Sequence, residues 1–219
     1  MNAIAPPRHI LIAVTRAMAN SEFEFRGDAA FLRCQDDVVA IIDYQKYSWG
    51  DHFTLNFGFH SRSVAILSGC SAEPCIGVCN SAGFGFRPRE LEIAEPPQGF
   101  SIHGDPDFPT FSDWLAREVS TKLTPVLGQL GSLQGWETYC RHRLADPNVG
   151  RAFYHVRLGY LLLAQSHVAH SEVEKAITAH AGDPHQIPYR IDHQRKLLAR
   201  RWADPTAFFQ ELASPMTGG

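Results

Sequence analysis

Four polar side chains stand where a β-sheet would bring them together. In 38–46 (VVAIIDYQK) Val39, Ile41, Asp43 and Gln45 fall on one face of an extended strand, and in 52–60 (HFTLNFGFH) Thr54, Asn56, Gly58 and His60 do the same, because strand side chains alternate with a period of two. If the two faces coincide, Asp43, Gln45, Thr54 and Asn56 form a polar patch on an otherwise apolar sheet. Such a patch either meets a partner or ligand, or ties the loop at Tyr47–Trp49 to the strands through internal hydrogen bonds. A metal-dependent nuclease centre at Asp43 with Gln45-Lys46 is excluded. Adjacent strand residues leave opposite faces and do not converge on one ion.

Cysteine and histidine supply the next candidates. Cys70, Cys75 and Cys79 are spaced x4 and x3, with Cys34, Cys140 and His103 elsewhere. Structural zinc wants four ligands in tetrahedral array, usually from tighter cysteine pairs. Irregular spacing without a defined fourth ligand points to small packed thiols, so no metal and no cofactor is expected. His167 and His170 are at i, i+3 among 11 histidines, but Ser171 restarts the chain there and spoils a shared ligand geometry. The basic run Arg190 to Arg201, with Arg195, Lys196 and Arg200, places Ile191, Leu197, Leu198 and Trp202 inward on a helix and its bases outward. The rest of the chain offers no supporting positive field, so a solvated helix face is expected and nucleic acid is not. Gly83-Phe84-Gly85-Phe86-Arg87 lacks the strand-to-helix context of a phosphate loop.

The elements that must position these groups read as α+β. Ile10, Leu11, Val14, Ala17 and Met18 make an amphipathic stripe for a helix over 7–19, with Pro6 and Pro7 suited to its first turn. From Glu22 to His60 the period becomes two. Strands are expected over 29–34, 38–46 and 52–60, the last placing Phe53, Leu55, Phe57 and Phe59 on one face, and a fourth strand over 63–68 (SVAILS). Together they form an antiparallel meander on which the first helix packs. Residues 69–109 read as loop with one short strand near 82–86, a length that marks an insertion. After Pro109 the period is helical, with helices expected over 112–127, 134–145, 149–168, 172–181, 190–202 and 205–213. Ser112 caps the first of them, Ser171-Glu172-Val173-Glu174 forms a capping box, and Phe153 faces inward. The division expected is a sheet domain over 1–125 and a helical extension over 126–214, packed as one structural unit.

Composition bounds the function class. The chain has 219 residues, 44% hydrophobic and 20% charged, with net charge −3, an ordinary globular mixture. Residues 1–110 carry 8 basic and 13 acidic side chains (−5), and residues 111–219 carry 12 and 10 (+2). Neither half pulls strongly toward nucleic acid or an anionic membrane. The apolar run Ile10–Val14 falls short of the roughly 7–15 residues of a secretory core, and no run nears the roughly 20 of a membrane span. Five cysteines, an odd number, fit reduced thiols. A cytoplasmic protein with no membrane partner is expected.

"Asp-Tyr-Gln-Lys" (43–46) followed by "His-Phe-Thr-Leu-Asn-Phe-Gly-Phe" (52–59) resembles the core of the domain of unknown function 4304 family. The opening helix and the strand with Phe31, Leu32 and Arg33 resemble it too, over about residues 1–125. The insertion at 70–79 and the long helical tail depart from that pattern. The family is bacterial, and the resemblance implies an immunity or defence-associated role more weakly than it implies a fold.

Two functional expectations follow. The first is a non-catalytic binding protein of the immunity type, which neutralises a cognate bacterial toxin by protein–protein contact. Asp36, Asp37, Trp49 and Asp51 at the loop ends of the meander, with Asp43, Gln45 and Asn56 on the sheet, are its expected partner-binding residues. Acidic and aromatic groups there would steer and anchor a partner. The second is a small-molecule binder or enzyme with a cleft between sheet and helical tail near Asp43, Gln45, Asn56 and His60. The sequence leans away from catalysis, because no local catalytic signature stands out.

Overall fold

Helix α1 (Pro6–Ala17) opens the chain in a computed structural model that describes residues 6–18, 22–48, 52–74, 83–96, 99–101 and 108–214. Strands β1 (Phe23–Arg26), β2 (Ala29–Arg33), β3 (Val38–Lys46) and β4 (His52–Ser61) follow. Then come α2 (Arg62–Ser68), β5 (Phe84–Phe86), a 3-10 turn at Pro88–Leu91, β6 (Phe100–Ser101) and α3 (Phe108–Leu130). The chain ends in α4 (Leu133–Ala145), α5 (Arg151–Ala164), α6 (His170–Ala181), α7 (Pro188–Ala203) and α8 (Pro205–Ala213). The α+β class expected from sequence is the class observed.

These elements form two units, Met1–His60 with Pro74–Gly131, and Ser61–Glu73 with Ser132–Gly219. In the first, the strands run in the order β1-β2-β3-β4-β5, and β6 shares the outer edge of β4 with β5. The pairing is antiparallel, with Phe31 opposite Ile41, Phe59 opposite Phe84 and Phe53 opposite Phe100. β1 adds a strand to the expected meander, built on the Phe-Glu-Phe-Arg alternation of 23–26.

The alternation along β4 builds the core. Phe53, Leu55, Phe57 and Phe59 are fully buried, and α1 lies along α3 while reaching β2 and β3. Phe53 stacks on Tyr44 at 4.8 Å and meets Phe100 at 5.5 Å and Phe111 at 6.4 Å. Trp114 extends the cluster, 5.9 Å from Phe111. Aromatic pairs at these separations add stabilisation beyond the area they bury. Beside β5, the backbone of Gly83 comes so close to β4 that a Cβ there would lie 1.6 Å from the Phe59 carbonyl oxygen. No side chain fits.

The fourth expected strand is a helix. Residues 63–68 belong to α2, whose N-cap Ser61 accepts the Val64 amide and whose C-cap Gly69 sits at φ 74° in the left-handed region. Val64, Ala65 and Leu67 are buried. A short apolar run suits a buried strand or a buried helix equally well; the Ser and Gly at its two ends decide for helix.

The β2–β3 turn puts strain on an exposed side chain. Asp36 has φ 55°, and the turn is held by Cys34 N–H to the Val38 carbonyl (2.9 Å) and Val38 N–H to the Gln35 carbonyl (3.1 Å). Asn and Asp tolerate this conformation and a β-branched residue does not. Asp36→Asn is therefore expected to keep the stability of the chain, while Asp36→Val lowers it by about 1–2 kcal/mol. Urea unfolding of both variants checks this; equal midpoints would show that the turn does not hold residue 36 in that region.

The second unit consists of helices. α4, α5 and α6 pack in sequence, and α7 lies on both α5 and α6. At Gly159 on α5 a Cβ would fall 2.5 Å from the Gln194 amide of α7. Gln194 is wholly buried there and donates from Nε2 to the Val156 carbonyl at 2.7 Å. Among the described residues, no helix is long and apolar enough to cross a membrane.

Candidate functional site

The polar face of the sheet closes on itself. Asn56 Nδ2 donates to Gln45 Oε1 at 3.2 Å, and Arg87 donates to the same oxygen at 3.4 Å. The Thr54 hydroxyl donates to the Glu95 carboxylate. The two strand faces thus coincide as the alternation requires. Their accessibility differs from a partner-facing patch: Asp43 is 3% exposed, Thr54 0%, Asn56 4% and His60 1%. Buried polar groups take hydrogen-bond partners inside the protein, and a partner could reach Asp43 or Asn56 only after this face opened. Of the patch residues expected to bind a partner, Gln45 alone is exposed.

At the loop ends, Asp36 is exposed and Asp37 half-buried, in a turn further anchored by Gln35 N–H on the Gly131 carbonyl at 2.8 Å. Trp49 and Asp51 lie outside the described residues, as do Cys75, Cys79 and His103. Cys140 is buried, and burial pushes its thiol up to about 12. Among the described residues no group of three His, Cys, Asp or Glu side chains is arranged to hold a metal ion. α6 begins at His170 with Ala169 as its N-cap and no side-chain cap bond, so His167 precedes the helix and the capping box expected at Ser171 does not form.

The basic run on α7 is only partly a solvated face. Arg201 is buried and donates to the carbonyls of Leu162 (2.9 Å), Gln165 (3.0 Å) and Val168. Arg190 donates to the Ser68 carbonyl at 2.8 Å and lies 3.5 Å from the Tyr160 hydroxyl. That hydroxyl is 2.8 Å from His193 Nδ1. Arg195, Lys196 and Arg200 remain exposed. Trp202, expected inward, is 69% exposed and rests on the His170 ring at 4.5 Å. Phe153, also expected inward, is 49% exposed and carries the Arg157 guanidinium at 3.7 Å over its face. Cation–π contact lets an aromatic side chain take a structural role outside the core.

The helical unit contains a groove that the sequence did not announce. It runs between α4, α5 and α6 with a volume of about 670 Å³. Leu144, Ala145, Leu158, Ala176 and Ala179 supply its apolar lining, and Arg141, His155, Ser171, Glu172 and Lys175 its polar lining. Arg141 donates to Glu137 on its own helix (2.9 Å) and to Glu172 on α6 (2.7 Å), which bridges the groove. Gln165 also donates to Glu137, at 3.2 Å.

His155 connects the groove to a buried polar set. Its Nε2 is 3.7 Å from Asp183 Oδ2, with the two side chains 13% and 4% exposed. Its ring stacks on His180 at 5.8 Å and 10°. His180 is wholly buried and its Nε2 accepts the Ile187 amide at 3.3 Å, which fixes the neutral tautomer with the proton on Nδ1. Burial pulls both imidazoles below the ordinary histidine range. For His155 the nearby Asp183 opposes that shift and Arg151 reinforces it; for His180, His155 reinforces it while Asp183 and Gln194 oppose it. Burial thus favours the neutral form of His155, against the pull of Asp183 at 3.7 Å. Histidines 25 residues apart in sequence meet only because α5 and α6 pack together, so no local spacing could have shown the pair.

No family model, no curated protein and no solved structure matches this chain.

Proposed function

We propose that the chain is a binding protein whose ligand site is the groove between α4, α5 and α6. The observation that supports this reading is the groove's build. Its volume of about 670 Å³ lies within the roughly 300–1,000 Å³ of small-molecule sites. A mostly apolar lining with a few convergent polar groups, one of them a histidine with a displaced pKa, is the usual composition of such a site. Exposed Ala179 lines it, so Ala179→Trp fills the space without disturbing the core. A thermal-shift screen of small organic acids, amines and neutral compounds tests the reading. A ligand present at a hundredfold excess over its Kd should raise the melting temperature of the natural chain by about 5–10 °C and leave that of Ala179→Trp unmoved. A library that shifts neither protein, or both alike, removes the proposal.

The rigid acidic turn favours a second reading, a non-catalytic immunity-type protein that neutralises a bacterial toxin. Its supports are the family resemblance over 1–125 and the position of Asp36, exposed in a turn whose backbone is already fixed. A preordered contact loop loses little entropy on binding. Co-expression with the product of the neighbouring gene tests it. Protection from toxicity should be lost with Asp36→Lys in a protein that still folds; a neighbouring gene that encodes no toxin ends the reading.

A further inference from the structure

We propose that a recess between α1 and α3 is a binding site for a phosphate group. The recess has a volume of about 480 Å³, lies within the first unit and does not depend on a ligand in the α4–α5–α6 groove. Helical spacing puts Arg16 on one stripe of α1 with Ile12 and Ala13, and Arg117 on one stripe of α3 with Asp113 and Ala116. All six line the recess. α1 lies along α3, so each wall contributes one guanidinium. Both arginines are exposed, and among the described residues neither guanidinium has a hydrogen-bond or ion-pair partner.

Charge favours an anion. The lining sets Arg16 and Arg117 against Asp113, a net of +1 before any proton on His9. The sign holds over the whole helices. α1 has Arg8 and Arg16 and no acid, α3 has Arg117 and Lys122 against Asp113 and Glu118, and Lys122 is paired with Glu92 at 3.4 Å. Four bases thus face three acids. Like charges that share a recess repel, and an anion between them replaces the repulsion with charge-assisted hydrogen bonds. Its shape follows from the two walls. A carboxylate offers two coplanar oxygens, which one guanidinium fork matches, whereas a tetrahedral phosphate directs oxygens to both sides and can accept an N–H from each arginine. The volume lies within the roughly 300–1,000 Å³ of small-molecule sites, so the recess admits an organic ester as well as the free ion.

Calorimetric titration of the full chain with inorganic phosphate, phenyl phosphate and acetate tests this, with backbone NMR to locate the ligand. Both phosphates should bind, with shifts over 9–17 and 113–117, and acetate should be at least about tenfold weaker. Arg16→Gln and Arg117→Gln should each weaken phosphate about tenfold, and Asp113→Asn should tighten it about threefold. These three side chains are exposed, so the variants keep the fold. Lys122→Gln removes a charge that is already paired on α3 and should change affinity by less than about twofold. Phenyl phosphate binding more tightly than the free ion makes the natural ligand an ester; equal or weaker binding makes it inorganic phosphate. Acetate binding as tightly as phosphate, or equal losses in Arg117→Gln and Lys122→Gln, overturns the site. So does an affinity that neither arginine variant lowers, a set of shifts elsewhere in the chain, or failure of both phosphates to bind.

Discussion

Replacing Arg201 with methionine is expected to lower the unfolding free energy by about 3 kcal/mol. α5 ends at Ala164 with Gln165 as its C-cap, and a helix leaves its last carbonyls without partners along its own axis. Arg201 supplies donors to the Leu162, Gln165, Ser166 and Val168 carbonyls, and its positive charge sits at the negative end of the α5 dipole. Methionine replaces much of the stem's packing and none of the donors, so several buried carbonyls lose their partners together. Arg195→Met, on the exposed side of the same helix, is the control and should change stability by less than about 0.5 kcal/mol. Urea unfolding of the two variants separates the cases. Equal small losses would mean that water replaces the guanidinium at the end of α5.

The same arginine shows where the sequence could be read and where it could not. Periodicity located the helices to within a few residues, and the Phe53–Phe59 alternation identified the sheet's core face, because both patterns repeat along the chain. Arg201 and Lys196 carry one charge type on one helix, yet Arg201 is buried and Lys196 exposed. What separates them is the end of another helix, more than thirty residues earlier in sequence. The polar patch was legible as a set of residues sharing a face, and Asn56 does reach Gln45. Its burial was not legible, since alternation orders side chains across a strand and says nothing about what covers each side. The 63–68 run failed for a different reason: a stretch of six residues is too short to separate the two periods, and the signal lay in Ser61 and Gly69 beside it. The groove had no linear signal at all, being assembled from three helices whose lining residues are spread from 141 to 179.

Lowering the pH through the histidine range should destabilise the chain, with the stacked pair as a principal cause. Burial depresses the folded-state pKa of both His155 and His180 below the ordinary 6.5. The unfolded chain therefore takes up protons near pH 6.5 while the folded chain stays neutral. Stability is full above about pH 6.5 and falls as the pH drops below it, by up to about 1.4 kcal/mol per pH unit for each histidine until its folded pKa is reached. His193, depressed by burial and by Arg190 and Lys196, adds a contribution of the same sign. Within the pair His180 faces the more direct conflict. A proton on Nε2 would oppose the Ile187 N–H it now accepts, and a charged ring would lie 5.8 Å from a second imidazole. Asp183, near His155, offsets part of this. Urea unfolding at pH 7.5, 6.5 and 5.5 measures the slope, and the window stays above the ordinary carboxylate range near 4. His180→Gln keeps an acceptor for Ile187 and cannot titrate, so its loss between pH 6.5 and 5.5 should be smaller than that of the natural chain by up to about 1.4 kcal/mol. Matching slopes in the two proteins would show that His180 takes up its proton as readily in the fold as in the unfolded chain, and that the stacked pair does not set the acid limit of the helical unit.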